Sequence, residues 1–354
     1  MRQVLACLLS SVFICGSVAP AQPTSRPDDL DEPENSQPDE IRRGMRMGDP
    51  PETRYRRYWE NLVARIEPTR QGDPARAAVY LDFYRREILR DPRLFATNLR
   101  LSPVGGEIVI DGAAEYKEQL DALLSLLRAL NLDARADAVA LMPTTRVADQ
   151  PFGILRTPRS FLGSTPTGGE NVNEALGGEP VWILDAADES LLCHSIDGYV
   201  GWIRSDDIER VSAERITSAI NARGPLHAEK IEAAIANASA RLGKPYIWGG
   251  RSDEGVDCSG LVQQAFASQG VHLPRDAEQQ ALVGKLVATR WHRDALRRGD
   301  LLYFLGRRGF IAHTAIYLGD GKLIESADGK VRVSEFRPGL PRWEAFCFAK
   351  RVLD

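Results

Sequence analysis

Cysteine is scarce in this chain: five residues in 354, at positions 7, 15, 193, 258 and 347. No two of them form a CxxC pair and none sits in a Cys/His cluster of zinc spacing, so the sequence offers no ground for a metal site or any other cofactor. A long basic stripe is also lacking, and the formal net charge is −4. Nucleic acid and anionic membrane surfaces are therefore poor candidates for the main partner. Beyond the first residues, no apolar run is long enough to cross a bilayer.

The chain begins MRQVLACLLSSVFICGSVAPAQPTS. One arginine, an apolar run from Val4 to Val18 and the small-residue stretch Ala19-Pro20-Ala21 predict a secretory signal over residues 1–21. Cys15 raises lipid anchoring as an alternative, although Ile14 stands where a small residue is expected. Export would place the protein in the periplasm or cell envelope, or outside the cell. Three cysteines would then remain in an oxidising setting, an odd number that leaves at least one thiol needing a reason. Residues 22–51 are rich in proline and acid, with too little apolar surface to offset ordering entropy, and are expected to be a disordered linker.

An α+β organisation follows. Residues 52–145 predict a small α+β domain: Trp59, Leu62, Val63 and Ile66 recur at helical spacing, as do Val79, Leu81, Phe83, Tyr84 and Ile88. GEIVIDG then reads as a strand, EYKEQLDALLSLLRALNL as an amphipathic helix and ARADAVALMP as a returning strand. No chemistry attaches to this unit. Over residues 146–212, short apolar runs (PVWILDA, SLLCHSI, GYVGWIRS) are divided by Gly, Asp and Asn, the mark of a small β-barrel or sandwich. The piece LGGEPVWILDAADESLLCHSIDGYVGWIRSDDIERV resembles a bacterial SH3-like (SH3b) domain. Residues 228–354 place helices first and a run of antiparallel strands after. Cys193 and Cys347 both fall on alternating strands and are expected to be core.

Cys258 differs. In GVDCSGLVQQAF it opens an apolar helix behind a turn and an N-cap, Gly255-Val256-Asp257. A thiol attacks as thiolate, and a free pKa of about 8.5 leaves little of that at neutral pH. The unpaired N–H groups and positive dipole end of a helix favour the anion. Position alone leaves open both a nucleophile and an ordinary core cysteine. Of five histidines, His194, His227, His272 and His292 sit in polar or loop-like contexts and are expected at the surface. His313 instead begins the strand HTAIYLG, where it is either a base for the thiol or a hydrogen-bonded edge residue.

Taken in order, PYIWGG, DCSGL, LPRDAEQQ, RRGDLLYF and HTAIYLGDGKLIES strongly resemble the NlpC-like bacterial cell-wall cysteine endopeptidases, over residues from about 228 to 352. The resemblance implies a pared-down papain-like fold, Cys258 as nucleophile and His313 as general base. The family's third position, which orients the imidazole, falls on Glu325, where relatives usually carry His, Asn or Gln. Tyr246 matches a tyrosine near the oxyanion hole. Asp257, Ser259, Arg275 and Asp276 match positions in the substrate cleft, where two carboxylates suit a free α-ammonium. The implied reaction is hydrolysis of the γ-D-glutamyl–diamino acid bond of peptidoglycan stem peptides through a thioester. An adjoining SH3b unit would favour muropeptides with a free N-terminal L-alanine. A monomer is expected. The rival reading is an inactive wall-binding protein.

Overall fold

The computed structural model describes residues 51–91, 93–222 and 227–354. The segment 1–21 expected to be a secretory signal, with Cys15, and nearly all of the acidic stretch 22–51 lie outside the described residues.

Helix α1 (Pro51–Val63) turns Trp59, Leu62 and Val63 inward. A 3₁₀ turn, capped by the Asp73 carboxylate on the Ala75 N–H, leads into α2 (Ala77–Tyr84). Here Ala77, Tyr80, Phe83 and Tyr84 are buried while Val79 is 42% exposed, so the inward stripe differs from the one the sequence predicts. Periodicity alone left two overlapping stripes, and packing chose the more aromatic. Strands β1 (Arg100–Val104) and β2 (Glu107–Ala114) form an antiparallel hairpin, whereas β3 (Ala134–Leu141) pairs parallel to β2. A parallel neighbour needs a crossover, supplied by α3 (Lys117–Ala129), which buries Ala122, Leu123, Leu126 and Leu127.

Seven strands follow: β4 (Phe152–Leu155), β5 (Arg159–Thr165), β6 (Gly168–Leu176), β7 (Pro180–Ala187), β8 (Ser190–His194), β9 (Val200–Arg204) and β10 (Ile208–Arg210). They make one sheet in the order β10-β4-β7-β8-β9-β5-β6. Its end strands β10 and β6 do not pair with each other, so of the small barrel or sandwich that the sequence predicts, no closed barrel forms. Turn residues determine where strands end, not whether the first and last meet. Cys193 is fully buried in its core, and burial drives the thiol far up in pKa, away from nucleophilic chemistry.

Helices α4 (Ala213–Ile220) and α5 (Ala228–Ser239) lead into the last unit, with the short pair β11 (Arg251–Ser252) and β12 (Gly255–Val256). Then come α6 (Cys258–Ala267), α7 (Ala277–Gln280), β13 (Lys285–Thr289), β14 (Leu301–Leu305), β15 (Ile311–Gly319), β16 (Lys322–Ala327), β17 (Lys330–Glu335), α8 (Pro341–Ala345) and β18 (Phe346–Arg351). The six longer strands form an antiparallel sheet, β13-β18-β14-β15-β16-β17. Leu261, Val262, Ala265 and Phe266 of α6 share one core with Ile316 and Ile324 of the sheet. Phe304, Phe336 and Phe346 belong to a second core. Cys347 is buried, its thiol donating to the Tyr303 carbonyl at 3.1 Å and pushed up in pKa by burial. The architecture is mixed α+β, and among the described residues no helix is long and apolar enough to cross a membrane.

Two histidines expected at the surface are buried at the junctions between these units. His292 receives the Trp182 Nε1–H at 3.4 Å and bonds Thr217 Oγ1 at 2.8 Å. His194 places Nε2 2.9 Å from Glu115 Oε1 and Nδ1 2.9 Å from the Gly198 carbonyl. Both partners only accept, so both ring nitrogens carry hydrogen and the pair is imidazolium–carboxylate. Burial opposes that charge, but Glu115 and the two hydrogen bonds outweigh it and raise the His194 pKa; the Lys350 charge works against them. A raised folded pKa means stability that is fully present below the unfolded value of about 6.5 and is lost as pH rises through the folded one. Calorimetry is therefore expected to show a melting midpoint that falls as pH rises above about 6.5. His194→Gln should remove that slope.

Candidate active site

Cys258 is the first residue of α6 and is 4% exposed. Its preceding neighbour Asp257 caps the helix, accepting the Gly260 N–H at 2.7 Å through Oδ1. The first turn is packed closely against the PYIWGG segment: a Cβ on Gly260 would lie 2.2 Å from the Gly250 carbonyl oxygen, so no larger residue fits there. This explains the glycine of DCSG as a packing requirement. Tyr246 is buried and bridges Val256, and Ile247 donates its N–H to the Val256 carbonyl at 3.3 Å. The tyrosine is thus held beside the turn that delivers Cys258.

Asp257, Ser259 and Arg275 form one cluster. Arg275 donates to Asp257 Oδ2 at 2.6 Å and Oδ1 at 3.1 Å, and to Ser259 Oγ at 2.9 Å. Oδ2 of Asp257 also accepts the Gly249 N–H at 2.9 Å. The carboxylate is therefore charge-compensated and holds the glycine turn, the helix cap and the arginine together. Asp276 is the N-cap of α7, in a capping box with Gln279, and its charge also acts on Arg275. Gln280, which sequence reasoning did not single out, is fully buried and donates to the Ser259 carbonyl and the Pro274 carbonyl, both at 3.0 Å. It ties the Arg-Asp loop to the turn of Cys258.

His313 and Glu325 meet across β15 and β16, and both are buried, at 1% and 0% exposure. His313 Nε2 lies 2.8 Å from Glu325 Oε2. A carboxylate only accepts, so the hydrogen sits on Nε2 and Nδ1 is the basic nitrogen of the neutral ring. The ring packs against Phe304, with centroids 5.5 Å apart. Glu325 has further partners that the sequence did not disclose. Arg342 Nε donates to Oε2 at 2.7 Å, Ser334 Oγ to Oε1 at 2.6 Å, and Arg332 to Oε1 through two nitrogens at 3.1 Å. Burial alone would disfavour the anion. The His313 bond, the Arg342 charge and the Ser334 bond together overcome it and hold the carboxyl far below the usual range. Arg332 and Ser334 alternate on one strand and Arg332 is the register partner of Glu325, a signal visible only once the pairing is known. Nothing in PRWEAF marks Arg342.

The two clusters are joined through the backbone. Helix α6 packs on β15 and β16, and Ser326, next to Glu325, donates Oγ to the Val256 carbonyl at 2.7 Å, two residues before Cys258. Among the described residues, no group of three or more His, Cys, Asp or Glu stands where it could hold a metal ion.

The NlpC/P60 family model matches residues 243–349. This part of the chain is an NlpC/P60 domain. Its relatives include "Probable endopeptidase YafL" of Escherichia coli, 41% identical over 126 residues that cover 34% of this chain and 50% of that protein. Another is a "Gamma-D-glutamyl-L-lysine dipeptidyl-peptidase" of Bacillus subtilis, 44% identical over 87 residues, 24% of this chain and 28% of the relative. The chain thus spans half the length of the first relative and less of the second. The solved structure of the peptidoglycan hydrolase RipB of Mycobacterium tuberculosis is 32% identical, with 41% of this chain and 75% of that one covered and a TM-score of 0.31. Every motif that the sequence placed at the site, from Tyr246 to Glu325, lies within the matched NlpC/P60 segment, whereas the units before residue 243 lie outside it.

Proposed function

We infer that this protein is a papain-like cysteine peptidase that cleaves the γ-D-glutamyl–diamino acid amide of peptidoglycan stem peptides. The observation that carries the reading is the buried His313–Glu325 pair, 2.8 Å apart, on strands packed against the helix that Cys258 opens. The helix terminus and an imidazolium favour the thiolate. Cys258 Sγ attacks the γ-carbonyl carbon of D-glutamate, and the oxyanion takes hydrogen bonds from the Cys258 N–H and the Tyr246 hydroxyl. His313 then gives its proton to the departing amine, the C–N bond breaks and a thioester remains. Water, deprotonated by the now neutral ring, attacks the thioester, and the released thiol and acid complete the cycle. Glu325 holds the ring and offsets its charge. The names of the relatives from Bacillus and Escherichia support this reaction class.

The open sheet over residues 152–210 is read as an SH3b-like unit, and the leader as an export signal that delivers the enzyme to the cell envelope. Incubating the full chain with L-Ala-γ-D-Glu-diamino acid tripeptide should release L-Ala-γ-D-Glu, seen by mass spectrometry. Intact tripeptide after long incubation would end the reading.

We assign substrate ammonium recognition to Asp276, a part-exposed carboxylate at the start of α7. Asn also caps helices, so Asp276→Asn keeps the cap and removes only the charge. Its KM for the free tripeptide is expected to rise about tenfold, the size of a lost charge-assisted bond at a part-exposed site. The N-acetylated tripeptide should be indifferent to the change.

A further inference from the structure

The seven-stranded unit and the N-terminal unit both touch the NlpC/P60 domain near the β13–β18 edge, the latter through Arg290 to Glu118 at 2.9 and 3.0 Å and the Tyr116 hydroxyl to the Cys347 carbonyl at 3.2 Å. The first meets the β13–β18 edge, where Leu286 donates its N–H to the Ile196 carbonyl at 2.6 Å and Lys350 donates to the Asp197 carbonyl. That edge is separated from β15 by β14. The N-terminal unit also grips residues 306–310, the turn that leads directly into β15 and His313. Glu52 takes both terminal nitrogens of Arg307, at 2.8 and 3.1 Å, and the Tyr55 hydroxyl donates to the Arg307 carbonyl at 3.1 Å. The Arg307 guanidinium lies 4.3 Å from the Tyr55 ring centre, and Arg90 lies 4.0 Å over Phe310. Arg90 also pairs with Glu278 of α7 at 2.8 Å. At the centre of the turn, Gly309 (φ +83°) sits against α3: a Cβ there would lie 2.8 Å from Ala122 Cβ.

The geometry beyond the turn makes this grip consequential. The pairing of β14 with β15 shifts register between Phe304–His313 and Leu305–Ile311, which leaves Ala312 as an extra residue immediately before His313. Bulges re-aim the side chains beside them and are held only by what flanks them. On one side of this bulge lies the sheet, and on the other lies the gripped turn.

We propose that the N-terminal unit is a positioning clamp for the catalytic base: by fixing the turn 306–310 from outside, it sets the direction in which the bulge presents His313. This rests on the reading of Cys258 and His313 as the catalytic pair. Glu52, Tyr55, Arg90 and Ala122 are positioning residues, since they act through the turn and touch no substrate.

The test uses the full chain and two independent arms. Gly309→Ala pushes the turn off α3 and strains its positive-φ backbone. Glu52→Gln with Tyr55→Phe removes the grip from the solvent side. In both arms kcat should fall about tenfold, within the range that misplacement of a reacting group by an ångström or less costs, with KM changed by less than about twofold. The rate of Cys258 alkylation by iodoacetamide, followed against pH without substrate, should drop at neutral pH in the clamp variants. A change in global stability would leave that rate unmoved while the protein stays folded. Wild-type kcat and alkylation in both arms, with Cys258→Ala inactive, would overturn the clamp and leave the peptidase reading intact. Should Gly309→Ala fail to fold, the solvent-side arm decides by the same criteria. Activity surviving in Cys258→Ala would instead bring down the peptidase reading and the clamp with it.

Discussion

Cys258→Ala is expected to lower release of L-Ala-γ-D-Glu by about 10⁴-fold or more, since removing a nucleophile costs nearly all the rate that the catalytic group supplies. The fold should persist, because Asp257 and Gly260 make the cap without the sulfur and alanine is a good helix former. Cys258→Ser should be nearly as inactive. A serine hydroxyl has too high a pKa to be ionised by an imidazole and a helix terminus, whereas a thiol does not. Circular dichroism melts alongside the mass-spectrometric assay separate loss of chemistry from loss of structure. Residual activity above about 1% of wild type in a folded Cys258→Ala protein would show that another group attacks the carbonyl.

The second large effect concerns Glu325. It faces two arginines, a histidine and a serine while fully buried. Removing its charge breaks the ion pair with the Arg342 guanidinium, which is only 9% exposed. Breaking a buried pair in this way costs about 3–5 kcal/mol, so Glu325→Gln and Glu325→Ala should both unfold at much lower denaturant concentration. Their activities should differ. The glutamine can still accept the His313 Nε2–H through its amide oxygen and keep the tautomer, whereas alanine cannot. We expect kcat to fall at least about 100-fold in Glu325→Ala and at least about tenfold less in Glu325→Gln. Equal, undiminished kcat in both would mean that the ring needs no orienter. The sign of the pH effect follows from the depressed folded pKa: the stabilisation is present above the unfolded carboxylate value of about 4.3 and is lost as pH falls below it toward the folded one. Wild-type stability should therefore decline in acid below about pH 4, with that part of the decline absent in Glu325→Gln.

Much of the site was legible because its determinants are local. An acid before a cysteine before an apolar run specifies a capped helix, and a histidine opening an alternating run specifies a strand. Glu325, twelve residues after His313, came from the resemblance to the family, and the structure brings the two side chains to 2.8 Å. Other features escaped because they depend on side chains brought from elsewhere. His194 looked exposed within SLLCHSI, yet Glu115 from another unit makes its burial possible. Asp257 looked available to substrate until Arg275, eighteen residues on, was seen to claim it. The stripe on α2 moved because tyrosine can be buried where its hydroxyl finds a partner, as Tyr80 does by donating to Glu67 Oε1, 2.8 Å away.

By itself, the amino-acid order determined where the thiol sits on its helix and which strand carries the imidazole, while the carboxylate that follows was named by the family resemblance. Caps, dipoles and side-chain alternation act over a few residues and need no knowledge of the whole. Only the tertiary structure decided what surrounds Glu325, how the seven-stranded sheet ends and which unit grips the turn before His313. Those outcomes depend on pairings as distant as Glu52 with Arg307, 255 positions apart, and such contacts are selected by packing of completed elements rather than by any local preference.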